Sequence, residues 1–373
     1  MSRSARSPQR LAVAISAVVI GAIAIGILAS VRDGPTASKG SSAIVPTTAE
    51  PICPGRFAVD PDDPRTSVPV CTTTSLDDGD PAATRLVIII HGDRRNGPGY
   101  FDDAARAARA ARASGSGGVL VIAPQVATRG DLRRAGITED LLTWSSEGWK
   151  IGDGSREQAE TDRISSFEVV DRLIAEVVDG GRFPAVRHVV IAGHSAGGQF
   201  VNRYAAATRI DARLATPGVD FGFVVANPSS YLYFDGRRVR EDGSVDIPSK
   251  ADRADCPGYD RYKYGLDDRN AYLSTSSRHE LRDRYGSRSI AYVAGALDVD
   301  PEDASLDRSC AARLQGETRL ERAMAYQTYL RAAYDPGTLA HHVLTVVPGV
   351  GHDSSAILDD PLVRPLLFGS GDD

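Results

Sequence analysis

From Arg85 onward the chain alternates short apolar runs with longer stretches in which apolar residues recur at helical intervals. Leu86-Val87-Ile88-Ile89-Ile90 and Val119-Leu120-Val121-Ile122 are continuous and rich in β-branched residues. Such runs predict strands buried on both faces. Val189 to Ala192, Phe221 to Ala226, Ser289 to Ala294 and His342 to Val347 repeat the pattern. Between them, Tyr100 to Ala113, Ile164 to Val178, Gln199 to Thr208 and Leu320 to Ala333 read as helices, two of them stopped by Ser114–Gly118 and Gly180-Gly181. Strands alternating with helices predict an α/β fold with a mostly parallel sheet covered on both sides. In such a sheet the ligand site lies at the carboxyl ends of the strands.

The amino-terminal part follows a different pattern. Residues 1–10 carry Arg3, Arg6 and Arg10 and no acid, and Leu11 to Val31 is uncharged. At about 1.5 Å per residue that run reaches about 30 Å, enough to cross a bilayer. It predicts a membrane anchor with a basic cytoplasmic flank, or alternatively a cleaved signal segment. Either exports the rest of the chain. Residues 32–50 are rich in Ser, Thr, Pro, Gly and Ala and read as a flexible linker. Residues 51–373 then form the catalytic domain, with Pro51 to Pro81 in turns and an edge hairpin. Two stretches without a regular pattern, about 128–159 and 229–284, are insertions expected to roof the site.

Charge and cysteines narrow the class. A net charge of −6 argues against a nucleic-acid partner, which usually calls for a basic surface. Cys53, Cys71, Cys256 and Cys310 form no CxxC pair, so a zinc site is not indicated. An even count in an exported chain predicts two disulfides. Cys53–Cys71 with Cys256–Cys310 is the pairing nearest in sequence; two other connectivities remain open.

The chemistry centres on Gly193-His194-Ser195-Ala196-Gly197, which follows one of these strands and opens a helix. This is the G-x-S-x-G nucleophile elbow, a sharp strand-to-helix turn with a serine at its apex. A serine needs a base, and the base an orienting acid, in the chain order Ser, Asp or Glu, His on this architecture. His352, in Gly349-Val350-Gly351-His352-Asp353, follows the last strand and is the expected base. Asp298, in Gly295-Ala296-Leu297-Asp298, follows the penultimate strand and is the expected acid, with Asp300 and Asp303 as rivals. The oxyanion hole is expected from the backbone N–H of Ala196 and from the loop after Ile90, with Asp93 favoured over Arg94. His91 in that loop reads as structural.

At these residues the sequence resembles the α/β-hydrolase superfamily. Its His-Gly loop, Gly-His-Ser-Ala-Gly-Gly elbow, Gly-Ala-Leu-Asp turn and Gly-Val-Gly-His-Asp loop look most like exported esterases of the polyhydroxybutyrate-depolymerase and feruloyl-esterase type. The resemblance spans Arg85 to Asp353. It implies hydrolysis of a small or polymeric carboxylic ester without metal or organic cofactor. The insertions match no substrate-binding pattern of that group. Their aromatics, Trp144, Trp149 and Tyr231, are candidates for gripping the substrate. Two rival readings keep the fold: an acyltransferase serving a cell-envelope acceptor, and a catalytically silent surface-binding protein.

Overall fold

The computed structural model describes residues 50–113, 117–157 and 162–369. The apolar segment 11–31, its basic flank and all but the last residue of the 32–50 linker lie outside the described residues. Among the described residues, no helix is long and apolar enough to cross a membrane. The expected hairpin is present as β1 (Gly55–Ala58) and β2 (Ser67–Thr72), which pair antiparallel. The strands that follow are β3 (Ala83–Ile90), β4 (Gly118–Pro124), β5 (His188–His194) and β6 (Asp220–Ala226). A small antiparallel hairpin of β7 (Arg238–Val239) and β8 (Val245–Asp246) stands apart, and β9 (Ser289–Gly295) and β10 (His342–Val347) complete the series.

Eight of these strands form one sheet in the order β1-β2-β4-β3-β5-β6-β9-β10. Only the β1–β2 and β2–β4 pairings are antiparallel. The other five are parallel. The period of two along each strand divides the core into two layers. Leu86, Ile88 and Ile90 face one hydrophobic cluster, while Val87 and Ile89 face the other. Val189 and Ile191 alternate in the same way with Val190 and Ala192. All are buried, so the continuous apolar runs are a sheet covered on both faces.

The helices supply that cover. α1 (Gly97–Ala113) packs Ala104, Ala107 and Ala111 on the second layer. The short α2 (Arg129–Arg134) opens the first insertion behind a Thr128–Asp131 capping box. α3 (Ser166–Asp179) and α4 (Ala196–Ala207) bury Phe167, Leu173, Phe200 and Tyr204 in the first layer. The second insertion carries α5 (Lys250–Asp255), α6 (Ala271–Ser274) and α7 (Arg278–Gly286). His279, within the stretch that shows no regular pattern in the sequence, therefore stands on a helix. A Ser277–Glu280 capping box starts that helix, with Leu281 and Tyr285 anchoring its one buried side. α8 (Cys310–Arg313) precedes α9 (Arg319–Ala333), which covers β9.

Two disulfides are formed, Cys53–Cys71 and Cys256–Cys310. The first ties the start of the body to β2, the strand next to the sheet edge. The second joins the end of α5, in the second insertion, to the start of α8.

Candidate active site

β5 ends at His194 and α4 begins at Ala196, leaving Ser195 alone at the turn. Its backbone has φ 60° and ψ −119°, a strained conformation for a side-chain-bearing residue. The small neighbours are a steric requirement. A Cβ on Gly197 would lie 2.2 Å from the Ile90 carbonyl oxygen, and one on Gly193 would lie 2.4 Å from the Gly197 carbonyl carbon. Strand and helix therefore cross at backbone contact, which pushes Ser195 out at the carboxyl end of the sheet.

The structure brings three of the sequence-predicted residues into one hydrogen-bonded chain. Ser195 Oγ lies 3.0 Å from His352 Nε2, and His352 Nδ1 lies 2.7 Å from Asp298 Oδ2. A carboxylate only accepts, so Nδ1 carries the proton and Nε2 is left to accept from the serine hydroxyl. Asp298 is buried at the turn after β9. Burial pulls its carboxyl upward, but the His352 hydrogen bond and charge, Arg319 and Asn227 together hold it below the ordinary carboxylate range. The rivals are placed elsewhere. Asp300 is exposed and accepts from the Glu302 amide, and Asp303 pairs with Arg319 at 3.0 Å.

Two residues of this network carry no periodic signal in the sequence. Asn227, one residue past β6, has φ 45° and donates from Nδ2 to Asp298 Oδ2 at 2.6 Å. Ala226-Asn227-Pro228 marks a turn, and asparagine tolerates that backbone, but nothing in the pattern aims it at Asp298. Arg319, on the first turn of α9, reaches Asp298 Oδ1 at 3.3 Å while fully buried. Beside His352 lies His194, whose ring is 4.6 Å from that of His352 and whose Nδ1 lies 3.3 Å from Tyr100 Oη. Burial, reinforced by the charges of His352 and Arg319, keeps the His194 imidazole neutral well below its ordinary value.

Asp93 and Ala196 line the same cleft as Ser195. Among the described residues, neither backbone amide has a hydrogen-bond acceptor. The loop that carries Asp93 is pinned from beneath. Arg95 donates to the Asp93 carbonyl and to Asp131, and Gln125 Nε2 donates to the Arg95 carbonyl at 2.7 Å. Arg94 instead points away, four-fifths exposed, to Glu50. His91 is buried, accepts the Val126 amide at Nε2 and is held down to about 4 by burial. It is a structural neutral ring.

The aromatics require a correction. Trp144, Trp149 and Tyr231 are each 0% exposed, and none lines the cleft. Trp144 donates from Nε1 to the Ile164 carbonyl, Trp149 packs on His91 and Phe200, and Tyr231 stacks on Tyr326 at 4.4 Å. They anchor the insertions to the body. The segments they anchor do reach the site, but through charged neighbours. The cleft, about 430 Å³, is bounded by Glu147, Lys150, Lys263, Tyr264 and Asp307 as well as by the strand-end residues.

No family model matches the sequence, and no curated protein matches it. Solved structures do match in fold. The chain is similar to the poly(3-hydroxybutyrate) depolymerase LpqC from Bordetella parapertussis, with a TM-score of 0.56 at 23% identity over 84% of this chain and 90% of that one. It is also similar to poly(aspartic acid) hydrolase-1 from Sphingomonas sp. KT-1, with a TM-score of 0.55 at 22% identity over 81% of this chain and 94% of that one. The chain has the α/β-hydrolase fold.

Proposed function

We propose that the protein is a serine hydrolase cleaving carboxylic esters through an acyl-enzyme intermediate. The observation that carries this reading is the hydrogen-bonded chain from Ser195 through His352 to Asp298, with the serine at the elbow lining the cleft. His352 Nε2 takes the hydroxyl proton as Ser195 Oγ attacks the ester carbonyl. Asp298 fixes the imidazole tautomer and stabilises its charge once protonated. The amides of Ala196 and Asp93 receive the oxyanion, and α4 aims its positive end at the same place. His352 then protonates the departing alcohol. In the second half it deprotonates a water that attacks the acyl carbon and releases Ser195. We also place the catalytic body, from Pro51 onward, outside the cytoplasm, where its two disulfides persist.

The test is active-site labelling of the body from Pro51 onward with a fluorophosphonate, followed by peptide mapping. Modification at Ser195, absent from Ser195→Ala and from His352→Ala, is the expected result. Ser195→Ala also removes turnover of a short aryl ester while leaving the unfolding midpoint within a few degrees. A folded protein that does not label, or an alanine variant that still turns over, overturns the reading.

A further inference from the structure

Ester hydrolysis as such needs no charged wall, yet the Ser195 cleft has one. Lys150 and Lys263 are largely withdrawn from water, their side chains 9% and 16% exposed. Both ammonium groups reach the same carboxylate. Lys150 Nζ lies 2.9 Å from Glu147 Oε1, and Lys263 Nζ lies 3.4 Å from Glu147 Oε2. Glu147 itself is 66% exposed. A sheltered ammonium is costly unless paired, so two of them converging on one point favour an anion there. Glu147 is the anion most easily exchanged, because water already covers most of it.

The other partners are less free to leave. Lys263 also pairs with Asp307 at 3.1 Å, and Asp307 accepts the Tyr264 hydroxyl at 2.7 Å. Burial alone raises the Asp307 carboxyl, but Lys263, Tyr264 and Ser309 drive it far below its ordinary range. Lys150 pairs with Asp93 at 3.3 Å, on the pinned loop. Arg308 on the same lining is already paired with Glu302 at 2.7 Å and takes no part. When Glu147 swings out, Lys150 keeps Asp93 and Lys263 keeps Asp307, but the carboxylate position that the two ammonium groups share is open. That is the vacancy for one carboxylate.

We infer, resting on the serine-ester reading above, that the substrate class is an ester bearing a carboxylate on the part lying in this cleft. That carboxylate replaces Glu147 between Lys150 and Lys263. Glu147 is thus an internal stand-in for the substrate anion, and the insertions set specificity by charge rather than by an aromatic grip.

The test compares monoethyl adipate with ethyl hexanoate, which carry a carboxylate and a methyl group at the end of otherwise equal acyl chains. Hydrolysis is followed by pH-stat, and the readout is the ratio of their kcat/KM values. The wild-type ratio is expected to be about ten or more, the range that one charge-assisted contact supplies. Lys263→Met lowers the ratio about tenfold, and Glu147→Gln, on an exposed position that leaves folding intact, raises it about threefold by removing the competitor. A wild-type ratio near or below one overturns the inference, as does a ratio unmoved in Glu147→Gln. Fluorophosphonate labelling of the same samples separates the two levels. Labelling at Ser195 without a preference overturns the carboxylate inference alone. Neither labelling nor turnover of either ester overturns the hydrolase reading and the inference with it.

Discussion

The two sides of the cleft are built on different physical terms. On the strand side, Ser195, Asn227, Asp298 and His352 each follow a parallel strand or its turn, with backbone fixed by a sheet buried on both faces. Their polar atoms meet at 2.6–3.0 Å with Asp298 at the centre. On the insertion side, Glu147 and Lys150 stand on a single 3-10 turn (Gly148–Ile151 and its cap) and Lys263 and Asp307 on loops, and ion pairs of 2.9–3.4 Å join them. The loops themselves are held by buried rings one to a few residues away, such as Trp149 beside Lys150. On the proposed mechanism, the geometry that must be kept for bond-making thus rests on main chain. The contacts proposed to select a substrate rest on side chains that exchange partners at lower cost. Substitutions on the strand side should therefore strike rate, and those on the insertion side should strike selectivity.

The sharpest break in that contrast is Asp298→Asn. An amide of the same shape donates as well as accepts, and it favours the wrong His352 tautomer. A fall of about 10³–10⁴ in kcat is expected with little change in KM, since the lost interaction develops in the transition state. Steady-state kinetics on a short ester measures it. A loss confined to KM would place Asp298 on the binding side and dissolve the comparison.

Arg319→Met comes next. The guanidinium is buried between Asp298 and Asp303, and removing it leaves two acids without their cation. A stability loss of about 3 kcal/mol or more is expected in urea unfolding. Among folded molecules kcat falls about tenfold to a hundredfold, because Asp298 retains its His352 and Asn227 contacts but loses one arm. Arg319→Lys should recover part of the stability and less of the rate, since an ammonium cannot span both acids.

Arg319 also illustrates where sequence reading stops. The strands of the sheet were legible because burial on both faces forces an unbroken apolar run, and Ser195, Asp298 and His352 were legible because each sits a short turn beyond such a run. Arg319 lies in the first turn of a helix, where a charged residue ordinarily faces water. Only the docking of α9 against β9 turns it inward. The insertions failed for a related reason. A ring close to a strand end reads equally as substrate contact or as anchor, and packing around Trp149 and Tyr231 decides for the anchor. The charged residues beside them, Glu147 and Lys150, look like solvated surface until a second loop brings Lys263 opposite.

Removing the second disulfide, as Cys256→Ser with Cys310→Ser, probes the insertion side as a unit. The bond closes a loop of 54 residues, for which chain entropy sets a ceiling of about 4 kcal/mol on the stability lost, and about 2–4 kcal/mol is expected. Cys310 lies three residues beyond Asp307, so the cleft wall loosens with it. The ratio of kcat/KM between the carboxylate and neutral esters should drop further than kcat for the neutral one. Equal losses in both would show that the insertion supports the chemistry as much as the selection.

The smallest expected effect lies where the two sides touch. Asp131, on α2 of the first insertion, pairs with Arg95 at 2.7 Å, and Arg95 holds the carbonyl of Asp93. Burial raises the Asp131 carboxyl, but hydrogen bonds from Arg95 and Thr128 outweigh it and bring it down to about 2 from an ordinary 3.8. A carboxyl depressed on folding stabilises the native state above its unfolded value, and the contribution fades as pH falls through the folded value. The stability gap between wild type and Asp131→Asn should therefore be flat above about pH 5 and close between about pH 4 and pH 2. Its plateau is about 1 kcal/mol once solvent screening is allowed for. Urea unfolding across that range measures the gap, and a difference that persists at pH 2 would assign the stabilisation to packing of α2 rather than to its charge. Because Arg95 reaches the loop proposed to bind the oxyanion, Asp131→Asn should also lower kcat by about twofold to fivefold at neutral pH, a rate effect from an insertion residue. That is a place where the division between the two sides should leak, and an unchanged kcat would mean that Gln125, on the strand side, holds the Arg95 end of the loop without it.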